Sequence, residues 1–223
     1  MCFSAEASFV AGTALSVIGI VTIRKSQTGS QLFFSSIPLL FGAQQIVEGF
    51  LWLSFINLNF VSLKVLSTYI FLIFAQILWP TWVPFSILLL ENEKKRRKIL
   101  YFFLLIGLTV SIILAHSLLT GNITSEIIGH HISYNLDISY STILVLSPLY
   151  FASTVLPAFF SSSKGMWILG FLILTSYIVT KIFFENYVIS VWCFFGAVIS
   201  IVVYSIIINT YHSPQKEITV PIK

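Results

Sequence analysis

Seven long apolar runs leave this chain little choice of fold. Each run is about 20 residues long, which is enough for a helix to cross the hydrocarbon core of a bilayer. Hydrophobic residues make up 57% of the 223 positions and charged residues 9%, so few residues remain for a soluble domain. The chain is therefore predicted to be an all-α, polytopic transmembrane bundle of seven helices. The predicted helices are 5–23, 32–55, 65–90, 99–119, 140–160, 166–184 and 188–209.

These spans form one predicted transmembrane domain, 1–209, followed by a short cytoplasmic tail, 210–223. The first run begins without basic residues and ends at Arg24 and Lys25, which reverses the charge order of a cleaved signal peptide. We therefore expect this run to be retained as the first helix.

Lysine and arginine are divided unequally between the two sets of loops. Ten of the 12 lie in one set of alternate loops and the C-terminal segment, whereas Lys64 and Lys181 lie in the other set. The positive-inside rule places the richer set in the cytoplasm. The predicted topology has the N-terminus outside and the C-terminus in the cytoplasm.

The densest basic segment is 94–98, directly before an apolar run. This position predicts anionic lipid headgroups of the bilayer as its partners. It argues against nucleic acid as the partner of a chain with a net charge of +4.

A carboxylate inside an apolar run is the clearest indication of a functional site. Placing a charge at the centre of a membrane helix costs about 2.5–3.5 kcal/mol, so Glu48 should face the bundle interior or water. At 3.6 residues per turn, Gln44 and Trp52 share its helix face, and Gln45 lies beside it. A paired or protonated glutamate with a structural role is the alternative. The predicted ligand pocket comprises Glu48, Gln44, Gln45, Trp52, Trp79, His116, Tyr140 and Trp192.

Three histidines are predicted at the same outer end as Glu48. His116 lies near the end of its span, and His130 and His131 lie in the polar segment 120–139, which is long enough to fold over the outer mouth. Zinc binds neutral imidazoles together with a carboxylate, so these histidines and Glu48 form a candidate zinc site. The sequence has no H-E-x-x-H motif and no pair of histidines four apart, so polar anchoring of the histidines is the alternative.

Cys2 and Cys193 are both predicted near outer helix ends. An oxidising compartment could join them if their helices are adjacent. The alternative is two unpaired cysteines that pack as small apolar residues.

Four stretches together resemble an uncharacterised family of small bacterial membrane proteins. They are the opening MCFSAEASF, the stretch from Ile37 to Gly49, the run from Trp79 to Pro84, and Ser190 to Cys193. The resemblance covers nearly the whole chain and implies a multi-pass protein of the bacterial inner membrane. It implies no activity and no catalytic residues.

Three classes of function are compatible with these features. The first is a protein whose outward-facing polar pocket binds or senses a small polar ligand, a lipid headgroup or a cation. The second is a membrane-embedded, metal-assisted hydrolase acting on lipid, which requires a lid histidine to reach His116. The third is ion or proton transport, which requires polar groups to continue through the inner half of the bundle. The sequence leaves the oligomeric state open.

Overall fold

The seven predicted spans form helices. The computed structural model describes residues 4–184 and 187–211, with side chains up to residue 208. Within this part of the chain, seven helical stretches are long and apolar enough to cross a membrane. They are Ala5–Arg24, Gly29–Ile56, Leu63–Leu90, Lys94–Thr120, Tyr140–Phe160, Met166–Phe183 and Val188–Ile208. The predicted seven-helix bundle is confirmed, and the chain is an integral membrane protein. Cys2 and the tail beyond residue 211 lie outside the described residues.

Two of the spans are interrupted. Their helices are α1 (Ala5–Arg24), α2 (Gly29–Ser35), α3 (Ile37–Ile56), α4 (Leu63–Leu72), α5 (Trp79–Leu90), α6 (Lys94–Thr120), α7 (Tyr140–Phe160), α8 (Met166–Phe183) and α9 (Val188–Tyr211). The second span breaks between α2 and α3, where Pro38 lies in the first turn of α3. A π-helix, Ile73–Leu78, joins α4 to α5 within the third span. A short 3₁₀ turn, Leu58–Phe60, links α3 to α4.

The segment between α6 and α7 contains a β-hairpin, which the all-α prediction did not include. Strand β1 (Ile123–Ile128) pairs antiparallel with β2 (His131–Leu136). Gly129 and His130 form the two-residue loop, and Gly129 has a φ of 64°. A glycine with positive φ at the first loop position is typical of a type II′ hairpin turn.

The hairpin packs against α4 through its buried face. The Thr68 and Ser125 hydroxyl oxygens are 2.7 Å apart, and the Tyr134 ring stacks on Phe71 with 4.8 Å between centroids. Ile132 is fully buried beside them. We call this end of the bundle the hairpin end, and the opposite end, with residues 94–98, the basic end.

The backbone carbonyls around the π-helix are bonded by hydroxyl groups of neighbouring helices. The Tyr150 hydroxyl of α7 donates to the Ala75 carbonyl, and the Ser111 hydroxyl of α6 donates to the Ile77 carbonyl at 2.8 Å. Pro80 lies two residues after the π-helix and has no N–H to donate to the preceding turn. An irregular helix is stable inside a bilayer only when neighbouring groups satisfy its backbone in this way.

A buried carboxylate connects two loops at the basic end. Glu91 accepts hydrogen bonds from the Ser162 backbone N–H at 2.6 Å, the Ser162 hydroxyl at 2.7 Å and the Glu93 N–H at 2.9 Å. Burial alone would raise the pKa of Glu91, but these hydrogen bonds outweigh it and hold the pKa below its ordinary value. The Arg97 guanidinium donates to the Glu91 backbone carbonyl at 2.9 Å.

Candidate functional site

Glu48 of α3 is the centre of a buried hydrogen-bonded network. Its Oε1 atom accepts from the Ser190 hydroxyl of α9 at 2.7 Å, and its Oε2 atom accepts from the Gln45 amide at 3.2 Å. All three side chains are fully buried. The helix therefore directs Glu48 into the bundle, as its position in an apolar span predicted, and its carboxylate connects α3 to α9.

A second buried pair of bonds starts one turn earlier on α3. The Gln44 side-chain oxygen accepts from Trp79 Nε1 at 2.8 Å, and its side-chain nitrogen donates to the Cys193 sulfur at 3.2 Å. The Trp79 ring also stacks on Phe41, with centroids 3.8 Å apart. Gln44 thus ties α3 to both α5 and α9.

A cavity of about 510 Å³ lies below the hairpin, between the π-helix, α7, α8 and α9. Ligand pockets typically measure about 300–1,000 Å³, so this space is large enough for a small molecule. We call it the hairpin cavity. The polar side chains that line it are Gln76, Tyr134, Asn135, Ser147, Tyr150, Tyr177, Lys181, Tyr187, Ser190, Trp192 and Cys193.

Glu48 lies one side chain behind the wall of the hairpin cavity. Ser190 and Cys193 line the cavity on one side and contact Glu48 and Gln44 on the other. The Ser190 side chain therefore separates the Glu48 carboxylate from the cavity.

Lys181 supplies positive charge to the hairpin cavity. Among the described residues that line it, Lys181 is the one with a charged side chain. It lies in the last turn of α8 and is exposed, which places it at the mouth of the cavity. The described lining of the cavity therefore combines a cationic side chain at the rim with hydroxyl and amide groups on the walls.

The structure places the predicted pocket residues in different surroundings. Trp192 lines the hairpin cavity, while Glu48, Gln44, Gln45 and Trp79 form the networks behind it. Trp52 packs in an apolar cluster with Leu51 and Phe71, and within the described part of the chain its buried Nε1 has no hydrogen-bond partner.

His116 and Tyr140 do not join the predicted pocket. Both are exposed, and neither lines the hairpin cavity. Each occupies a helix position that faces away from the bundle interior. Tyr140 is 79% exposed at the start of α7.

The candidate zinc ligands do not come together. In residues 4–184 and 187–211, no group of three or more His, Cys, Asp or Glu side chains is arranged to hold a metal ion. His130 is exposed in the hairpin loop, and the ring of His131 stacks on Tyr187 with centroids 4.7 Å apart. The hairpin therefore holds His131 against an aromatic side chain, and Glu48 lies in the buried network below.

Several cavity residues were not among the predicted pocket residues. Gln76 lies in the π-helix, and Ser147, Tyr150 and Tyr177 lie on α7 and α8. Pro80, four residues after Gln76, was the signal that could have located it, because irregular helical turns in membranes commonly line cavities. No comparable local signal marks the tyrosines.

One family matches nearly the whole chain. A model of a family of unknown function, DUF6629, covers residues 1–217. The chain belongs to this family. The resemblance to an uncharacterised family is thereby confirmed, and DUF6629 carries no assigned activity. No curated protein and no solved structure matches the chain.

Proposed function

We propose that this membrane protein binds a small amphipathic ligand with an anionic group in the hairpin cavity. The supporting observation is a cavity of about 510 Å³ that combines apolar walls with hydroxyl and amide groups and has Lys181 at its mouth. Sites of this kind use a few polar groups to orient a ligand and apolar contacts to bind it. A lipid headgroup, carboxylate or phosphate, is the polar group that a rim lysine suits best.

The proposed topology follows the positive-inside rule. The hairpin end faces outward across the bacterial inner membrane, and the basic end faces the cytoplasm. Lys94, Lys95 and Lys98 are exposed at the basic end, which suits contact with anionic headgroups. The ligand therefore enters the hairpin cavity from the outer side or the outer leaflet.

Binding suits the geometry better than the two other classes of function. The metal-assisted hydrolase requires His116 and a hairpin histidine beside Glu48, and the described structure holds these groups apart. Transport requires ionisable groups that continue toward the basic end. The narrower cavity found there has no acidic, basic or histidine side chain among its described lining residues.

The test is binding of dodecanoate to purified protein, measured by native mass spectrometry. Ser147→Phe places a ring in the hairpin cavity and should weaken binding at least about tenfold, because the ring occupies volume that the ligand needs. Thr109→Phe is the matched control, since Thr109 is exposed on α6 and bonds within its own helix. Equal affinity of wild type and Ser147→Phe would refute binding at this site.

The proposed contact between the ligand's anionic group and Lys181 is tested separately. Lys181→Gln should weaken dodecanoate binding at least about tenfold, because a hydrogen bond to a charged group contributes about 1.5–3 kcal/mol. Dodecanol binding should be unchanged. A variant that binds both compounds as wild type does would contradict the role of the lysine.

A further inference from the structure

A second cavity adjoins the hairpin cavity and lies nearer the basic end. It has a volume of about 80 Å³ and lies between α3, α5, α7, α8 and α9. We call it the inner cavity. Its walls include Phe41, Val83, Ile87, Leu169 and Val203. These side chains give it an apolar surface, unlike the mixed surface of the hairpin cavity.

The hydroxyl groups in the inner cavity are already bonded. The Thr154 hydroxyl donates to the Tyr150 carbonyl at 2.8 Å, and the Ser200 hydroxyl donates to the Ala197 carbonyl at 2.6 Å. The Ser176 hydroxyl donates to the Ile173 carbonyl at 2.7 Å. Hydroxyls that bond to the backbone of their own helix leave carbon surface toward the cavity, so a polar ligand gains little there.

The two cavities share three residues, which form the boundary between them. Tyr150, Trp192 and Cys193 line both spaces. The polar atoms of the two aromatic residues are turned to other partners, since Tyr150 donates to the Ala75 carbonyl and Trp192 Nε1 donates to Ser176 at 3.2 Å. The boundary is therefore formed by two aromatic side chains and a thiol, which are surfaces that suit contact with an apolar chain.

Together, the two cavities extend far along the membrane normal. Along α9, Val188 lines the hairpin cavity and Val203 lines the inner cavity. Fifteen residues of helix rise by about 22 Å, most of the roughly 30 Å thickness of a bilayer's hydrocarbon core. A path that is polar at one end and apolar at the other matches an extended single-chain amphiphile.

We infer that the ligand is a single-chain acyl amphiphile whose headgroup lies in the hairpin cavity and whose chain passes Tyr150, Trp192 and Cys193 into the inner cavity. This inference rests on the proposed function and adds the position of the chain. Each methylene transferred to an apolar environment contributes about fourfold in affinity. Chain burial is therefore the larger part of binding, and Lys181 selects the headgroup.

The test is photolabelling of wild-type protein with two dodecanoate probes, one with a diazirine near the carboxylate and one with a diazirine at the far end of the chain. The first probe should label the hairpin cavity, at residues such as Ser147 and Tyr187. The second should label the inner cavity, at residues such as Val83, Ile87 and Val203. Unlabelled dodecanoate should reduce both signals.

The two probes distinguish failure of this inference from failure of the proposed function. If the first probe labels the hairpin cavity and the second labels only lipid-facing residues such as Leu144 and Ile178, the headgroup site stands and the inner-cavity chain site is overturned. If neither probe gives labelling that unlabelled dodecanoate reduces, both proposals are wrong.

A variant supplies an independent measurement. Ser200→Leu adds apolar volume to the inner cavity and should weaken dodecanoate binding at least about tenfold, while butanoate binding in the hairpin cavity stays unchanged. Both proteins are measured in the same micelles, so partitioning of the probe into detergent cancels. Retained butanoate binding shows that the variant is folded, and unchanged dodecanoate affinity would overturn the inference.

Discussion

Replacing Glu48 by glutamine and replacing it by leucine should affect the buried hydrogen-bonded network differently. In Glu48→Gln, the amide oxygen can accept from Ser190, and the amide nitrogen can donate to Gln45 once the Gln45 amide turns over. Both hydrogen bonds, 2.7 and 3.2 Å in the wild type, are retained, and only the bond to Gln45 reverses its direction. We expect the free energy of unfolding to change by less than about 1 kcal/mol, because loss of a buried charge partly offsets the weaker bonds.

Glu48→Leu has similar size but removes both acceptors. The buried Gln45 amide and Ser190 hydroxyl then lose a partner, and each such group costs about 1–3 kcal/mol. Removing the carboxylate from the interior recovers part of this cost. The expected net loss of unfolding free energy is about 2–4 kcal/mol, a large fraction of the 5–15 kcal/mol typical of a folded domain.

The assay is unfolding by SDS in dodecyl maltoside micelles, followed by circular dichroism. Adding Ser190→Ala to Glu48→Leu should recover about 1 kcal/mol, because the hydroxyl that lost its bond to Glu48 is gone. The reasoning is refuted if Glu48→Leu is as stable as the wild type. It is also refuted if Glu48→Gln is as damaging as Glu48→Leu.

Three further predictions concern the rest of the bundle. Glu91→Gln should lower the free energy of unfolding by about 1–3 kcal/mol at neutral pH. Because the folded-state pKa of Glu91 lies below its ordinary value of 4.5, this difference from wild type should persist above pH 4.5 and vanish as the pH falls through the folded-state pKa. Measuring the stability of both proteins as a function of pH checks this. Gly107→Ala should lower the free energy of unfolding by about 1–3 kcal/mol, because the added Cβ would overlap the Pro80 carbonyl oxygen. Gly29 has open space around it, so Gly29→Ala should not lower stability. Thermal unfolding of the two variants compares them. A cysteine at exposed His130 should react with an impermeant maleimide added outside intact cells and a cysteine at exposed Lys98 should not, and the opposite pattern would reverse the predicted topology.

The helices could be predicted from the sequence because membrane insertion is decided locally. A helix of about 20 apolar residues bonds its own backbone groups internally and places apolar side chains in the lipid, so it needs no contact with distant residues. The inward direction of Glu48 follows from the same energetics. The partner of Glu48, Ser190, and the partner of Gln44, Cys193, did not follow, because both lie on α9, far along the chain from α3.

The hairpin had a local signal. Four of the six residues in 123–128 are β-branched, 131–136 contains Ile132 and Tyr134, and Gly129 lies at the turn between the two segments. The polarity and length of the segment 120–139 indicated that it folds over the outer mouth, but not that it forms two strands. The pairing register then decided that Ile132 is buried and His131 stacks on Tyr187, which separates the histidines from Glu48.

The sequence by itself determined the seven spans, the burial of Glu48 and the unequal charge of the two ends, since each depends on the transfer of single residues or short segments between water and lipid. Only the tertiary structure decided the two cavities and the residues that line them. A cavity is the space left where helices distant in sequence fail to fill the volume between them, so it depends on helix rotation and tilt. For His116, the depth in the membrane was predictable, but helix packing turned its side chain outward. The same packing brought Lys181 to the mouth of the hairpin cavity.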